Sequence, residues 1–355
     1  MPRMCSLEIT DCELERFNLL YGGYKRLYND PCKAMPMVIV NVPINNIPTW
    51  YEQLRDPLAM LDTQLRHIKP HLEIGDDYVP TVRVNFGTGQ VAAAFGAELI
   101  MPSDSLPAVG SPILNNIEDA YKLSRPNLQA GWYGKLKQWT QIWLENLPQG
   151  INIQHPDIQS PFNTAHLLCG NDILTDFYDN PNAVETLLDV ITDYMIELVP
   201  YLKNMISSDP TWFFDWGAMW KGTARISNCS TTMISPEFYK KHIFPRDARF
   251  INSVGGGRIH YCGNAHSIIK EFFTLSSLTG LDCDCQYHDL WELAHNAPPR
   301  VTLIFQQYGS AFPFTDRLLK GDWPKKRNII VITEAPNVEE GKKLFCALKN
   351  SIPYS

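Results

Sequence analysis

The chain has no apolar run long enough to cross a membrane, since its aliphatic stretches fall far short of the roughly 20 residues that a spanning helix needs. Met1 to Arg16 mix charges without the apolar stretch of a secretory leader. Basic residues do not outnumber acidic ones, 31 against 38, and this mildly acidic balance argues against nucleic acid as a partner. The nine cysteines are odd in number and scattered without a framework spacing, which fits a reducing compartment better than disulfides. No internal repeat and no low-complexity linker divides the 355 residues. The expectation is a soluble, cytoplasmic protein with one large domain, and an apolar content of 45% is enough for its core. In such a compartment the glycosylation-like Asn228-Cys229-Ser230 carries no meaning.

What is present is an alternation of short β-rich runs with long amphipathic stretches, the pattern of parallel βα units. Eight runs read as strands: Met37 to Val42, Thr81 to Phe86, Asn152 to Ile158, Thr211 to Trp216, Arg258 to Cys262, Gly280 to Asp284, Val301 to Gln306 and Asn328 to Glu334. Helices fall between them, at Asn182 to Met205 after Asn180-Pro181, at Ser235 to Val254 with a serine cap and an early proline, and at Asn337 to Leu348. This pattern predicts an α/β fold, a single (β/α)8 barrel over residues 37–355. Residues 1–36 read as an N-terminal extension, and extra helices are expected after the second strand, between Gly87 and Gln149 and over the barrel mouth. Trp132, Trp139 and Trp143 recur near helical spacing and mark a packed face. Gly255-Gly256-Gly257 precedes a strand, so it is a turn and no phosphate cradle.

Active sites of such barrels lie at the C-terminal ends of the strands. His260 and Cys262 close the fifth strand two residues apart and so share one face. An imidazole and a thiolate there are half of a tetrahedral zinc site, and a site short of one protein ligand is a catalytic one. A packed barrel histidine beside a buried free cysteine would give the same tripeptide. Asp282, Cys283, Asp284 and Cys285 close the sixth strand, with the aspartates on one face and the cysteines on the other. Asp157 and Gln159 end the third strand, Asp215 the fourth, Gln306 and Gln307 the seventh, and Glu334 the eighth.

Four stretches carry a family resemblance. Asp157 to Ala165 with Leu168-Cys169-Gly170, Ile234 to Tyr239 ending in Phe244-Pro245, Ile259 to Asn264, and Phe95-Gly96-Ala97-Glu98 leading to Pro107 together resemble the uroporphyrinogen decarboxylase superfamily. That group joins tetrapyrrole decarboxylases to zinc-dependent methyltransferases acting between corrinoid proteins and thiols. The resemblance implies a barrel enzyme, zinc as metal, a small-molecule thiol substrate, and a corrinoid as methyl donor or as the cargo of a partner protein. In the methyltransferases a late-strand cysteine completes the metal site. Here that strand, Ile329 to Pro336, has none, so Glu334 is the expected third ligand with His260 and Cys262. The alternatives are Asp282, Cys283, Asp284 and Cys285. The decarboxylases need an arginine-rich N-terminal segment and an acid on an early strand. Here Tyr21 to Arg26 and Asn85 stand in those places, and Arg83, Arg225 and Arg258 read as too scattered to grip many carboxylates. The expected catalytic residues are Asn85, Asp157, Gln159 and Asp215. Methyl transfer ranks first, tetrapyrrole decarboxylation second, and a non-catalytic corrinoid- or thiol-binding barrel third.

Overall fold

A computed structural model describes residues 7–30, 34–102, 104–306 and 314–353. Thirteen strands occur among them: β1 Met37–Asn41, β2 Thr81–Val82, β3 Leu99–Ile100, β4 Ala108–Val109, β5 Asn152–Ile153, β6 Ile158–Gln159, β7 Trp212–Asp215, β8 Ala218–Lys221, β9 Ala224–Ser227, β10 Gly257–Tyr261, β11 Leu278–Cys283, β12 Thr302–Gln306 and β13 Ile329–Glu334. The order β1-β13-β12-β11-β10-β9-β6 forms one parallel sheet, and β2 pairs in parallel with β5. The third barrel strand is thus broken in two, β5 facing the second strand and β6 facing β9. The result is a (β/α)8 barrel. Between β1 and β2 the seam is closed by side chains: the Val38 and Val40 amides donate to the Asp77 and Asp76 carboxylates at 2.8 Å.

The fourth barrel strand differs from the expected one. Thr211 to Trp216 has strand character, but β7 turns back on β8 as an antiparallel hairpin, and β9 takes the barrel position. The cause is local. Trp216 and Gly217 both have positive φ, 51° and 64°, the conformation of a two-residue hairpin turn. A Cβ on Gly217 would meet the Tyr78 ring at 2.1 Å.

Strand alternation separates two cores. Val38, Val40, Ile329 and Val331 face outward to the helices, whereas Met37, Ile39, Ile330 and Ile332 face inward. The inward set packs on the hairpin residues Trp212, Phe213, Met219 and Trp220 and on Leu20, Tyr24 and Leu27 of the helix Asp11–Asn29, which precedes β1 in the chain. One end of the barrel is thereby plugged with apolar groups, and the polar residues lie above the plug. Helix Pro181–Ile206 starts on an Asn180 cap as expected, and Asn337 caps Val338–Ser351 by accepting from the Glu340 amide at 3.0 Å. Ser235 caps Pro236–Phe238, which passes through a wide turn, Tyr239–Ile243, into Phe244–Ser253. After β2 come the helices Gln90–Ala94 and Tyr133–Asn146. The second of these buries Trp139 and Trp143, and Trp143 donates to the Pro57 carbonyl at 2.8 Å, so its tryptophans are packing against the helix Pro57–Ile74. No helix among the described residues is long and apolar enough to cross a membrane.

Candidate metal centre

Inward-facing positions of β9, β10 and β11 carry polar groups in register: Arg225 beside Arg258, Ser227 beside His260, and His260 beside Asp282. Just past the strand ends, Cys229 and Cys262 join His260, and their ligand atoms lie within 4.8 Å of one another. The His260 Nε2 is 2.9 Å from the Cys262 Sγ, and the Cys262 amide donates to the Cys229 Sγ at 3.2 Å. Cys262 is exposed, and Cys229 and His260 are partly buried, so the cluster has one side open to the mouth.

Local structure explains this convergence. Asn228, fully buried, donates its backbone amide to the His260 carbonyl at 2.9 Å and its side-chain amide to Asp247 at 2.7 Å, while accepting from the Ser160 hydroxyl at 2.8 Å. These bonds tie the end of β9 to the end of β10. Gly263, at a φ of 88°, then turns the chain away after Cys262.

The electrostatics follow from what lies beneath the cluster. Asp282 accepts from His260 Nδ1, which leaves Nε2 for the cluster. Burial opposes the imidazolium, but the charge and hydrogen bond of Asp282, with help from Cys262, raise His260 to about 9. Burial pushes the Asp282 carboxyl up, and Arg258 and His260 more than offset it, so the acid is held below its usual range. The cysteines split: the hydrogen bond from the Cys262 thiol lowers Cys229, and giving that bond raises Cys262. Arg258 has no exposed surface and lies between the Trp216 and Trp220 rings, 4.6 and 4.4 Å from their centroids. It pairs with Asp215 and, at 3.3 Å, with Asp282. Arg225 pairs with Asp157 and, at 3.5 Å, with Asp215, to which Arg83 adds a contact at 3.3 Å. The tip of the hairpin reaches the site as well, since the Trp216 ring stands 5.3 Å from that of His260 in an edge-on geometry.

His260 and Cys262 come together as anticipated from their spacing. Glu334 does not join them: it is exposed at the end of β13, three strands from β10, and lines a separate mouth cavity of about 470 Å³ with Asn41, Val42 and Pro43. Cys229 stands where Glu334 was expected to act. Of the alternatives, Asp282 touches His260 from behind and orients it. Cys283 is turned outward into the apolar layer, Asp284 accepts from the Gln286 amide at 2.9 Å, and Cys285 lines a smaller cavity. Asp157 and Asp215 are bound in the arginine network. Gln159 accepts from the Asn163 amide at 2.6 Å, and Asn85 accepts from the Gly87 amide at 3.1 Å in a turn. Gln307 lies outside the described residues. Far from scattered, Arg83, Arg225 and Arg258 all meet at Asp215.

Two thiolates and one imidazole are a donor set that zinc favours, and the three donors leave one tetrahedral position. The fold and cluster therefore define a barrel protein of the α/β class with a candidate metal centre at its mouth. The family model for uroporphyrinogen decarboxylase (URO-D) matches residues 49–293, and the chain belongs to this family. Its structure is similar to that of a methyltransferase from Methanosarcina mazei, with a TM-score of 0.68 at 17% identity, over 92% of this chain and 98% of that one. At that identity the likeness speaks for a shared fold. No curated protein matches the chain in sequence.

Proposed function

We propose that the chain is a zinc-dependent methyltransferase that moves a methyl group between a corrinoid, or a similar carrier, and a thiol. The observation that carries this reading is the Cys229, His260 and Cys262 cluster with its one open side. A zinc ion held there would bind the substrate sulfur as thiolate at neutral pH, where a free thiol with a pKa of about 8.5 is mostly protonated. Asp282 keeps the imidazole in the tautomer whose Nε2 is free to ligate, and Arg258 holds Asp282 as the carboxylate. Trp216 packs edge-on against the His260 ring and helps fix its orientation. In the reaction the new S–C bond forms as the carrier–carbon bond breaks. The electron pair stays with the carrier, and the thiol proton passes to solvent.

Tetrapyrrole decarboxylation is supported by the family name and by the convergence of Arg83, Arg225 and Arg258. Each of these cations already faces a carboxylate, and Arg225 and Arg258 are buried. None is left to grip a substrate with many acids. The same purified protein tests both readings. Zinc is expected at about one per chain, and methylcobalamin offered with a panel of thiols should lose its cobalt-bound methyl group. Uroporphyrinogen turnover that survives Cys262→Ala, with no thiol methylated, would reverse the ranking.

A further inference from the structure

Gln159, Ser227 and His260 stand side by side on three adjacent strands. In the register of the sheet, Ser227 of β9 has Gln159 of β6 on one flank and His260 of β10 on the other. Their neighbours Ile158, Ile226 and Ile259 all pack into the outer layer, so the row itself faces the barrel interior. β9, which leads to Cys229, thus lies between Gln159 and His260, and the Cα atoms of those two are two strand spacings apart, about 10 Å.

Gln159 is 8% exposed, and the orientation of its amide is fixed by its surroundings. Asn163 sits in the first turn of the helix Pro161–Cys169 that follows β6, and its Oδ1 accepts from the Ser230 backbone amide at 2.8 Å. A backbone N–H can only donate, so Asn163 presents its Nδ2 to Gln159, at 2.6 Å, and the Gln159 atom facing it is the oxygen. What remains is the Gln159 Nε2. It donates to no group among the described residues and keeps a solvent-accessible face. Ser227 offers no substitute, because its hydroxyl turns to Asp157 at 3.5 Å. An amide donor aimed by a chain of two hydrogen bonds and left without a protein acceptor is the kind of polar group that fixes the orientation of a ligand.

Resting on the methyl-transfer reading, we propose that Gln159 positions the acceptor thiol, donating from Nε2 to an oxygen at the far end of a short chain whose sulfur takes the open position of the metal centre. The substrate class is then a small thiol with a terminal oxygen acceptor, and not a plain alkyl thiol or an aminothiol. Cobalt(II) in place of zinc makes thiol binding visible as a change in absorbance, without turnover. The probes are 3-mercaptopropionate, which ends in an acceptor, 2-aminoethanethiol, which ends in a donor, and 1-butanethiol, which ends in neither. The wild type should bind 3-mercaptopropionate best. Gln159→Leu should take up cobalt as the wild type does but weaken 3-mercaptopropionate, relative to 1-butanethiol, by about tenfold to a hundredfold, the effect of losing one hydrogen bond to a charged group. Gln159→Glu keeps an oxygen for the Asn163 amide, so it carries the test if Gln159→Leu does not fold, and it should invert the preference toward 2-aminoethanethiol. A wild-type order of preference in either folded variant overturns the inference. Cobalt uptake lost in folded Gln159→Leu does so too, because Gln159 would then support the metal centre and not the substrate. Preferences that shift as expected, while no form takes a methyl group from methylcobalamin, would sink methyl transfer and leave the thiol seat and its ligand class standing.

Discussion

Cys229→Ala is the most informative single change, because Cys229 entered the site through the fold and not through its position in a motif. The substitution leaves His260 and Cys262 as the only members of the cluster. Zinc sites with four protein ligands bind with about 10 to 16 kcal/mol, so each ligand accounts for about 3 kcal/mol and its loss for about a hundredfold in affinity. Stability should barely change, since Cys229 is only partly buried and loses one sulfur atom. Competition with a chromophoric chelator at fixed pH reads the affinity, and a thermal melt of the metal-free protein reads the fold. The expected pair is a weakening of about a hundredfold with an unchanged melt. Glu334→Ala serves as the control and should bind zinc as the wild type does. Wild-type affinity in Cys229→Ala, or an equal loss in Glu334→Ala, would refute the assignment of the third ligand.

Three further outcomes are expected. Asp282→Asn removes the negative charge of the acceptor that orients His260 and should weaken zinc by about 10- to 100-fold, read by the same competition; an unchanged affinity would separate the Asp282 charge from the site. Gly217→Ala places a Cβ at 2.1 Å from the Tyr78 ring on a backbone of φ 64° and should cost about 2 to 3 kcal/mol in a denaturant melt; a loss below half of that would mean the hairpin adapts. Asp247 is pushed up to about 7 by burial, against the hydrogen bonds from Asn228 and Tyr239. Since the folded state holds this proton more tightly than the unfolded state, Asp247 contributes stability that is full below pH 4 and fades as pH rises through about 7. The three-unit difference sets a ceiling of roughly 4 kcal/mol on this loss. Asp247→Asn should flatten the decline between pH 4 and 7, and a wild-type pH profile in that variant would assign the decline elsewhere.

Fold class and half of the candidate site were legible in the sequence for the same reason: both rest on short-range periodicity. Short, nearly continuous apolar runs mark strands such as Met37–Asn41 and Ile329–Glu334, and an i, i+2 spacing puts His260 and Cys262 together wherever that strand lies. Cys229 was hidden by an error of strand assignment. Trp212–Asp215 is as strand-like as any barrel strand, and only the left-handed Trp216-Gly217 turn diverts it, a feature a tryptophan does not advertise. With the fourth strand placed there, Cys229 fell in a linker. With Ala224–Ser227 in that place it falls two residues past a barrel strand end, where a ligand belongs. Glu334 failed for a related reason: standing at a strand end says which rim a residue is on, and not which side of the mouth it faces.

The arginines show how pairing, and not position, decides what a cation can do. Arg83, Arg225 and Arg258 do meet, yet the carboxylates of Asp157, Asp215 and Asp282 answer them one for one, so the barrel interior beneath the site is balanced in charge. A buried pair of this kind resists change, because removing one partner leaves the other charge uncompensated at a cost of about 3 to 5 kcal/mol. None of these three arginines is spare for a polyacid. Such an interior suits a metal centre instead, where two cysteine thiolates and a neutral histidine would balance a divalent ion without help from below. A substrate thiolate would then bring one negative charge to a neutral site, and with all three arginines already paired the sulfur would keep its electron density for the methyl group.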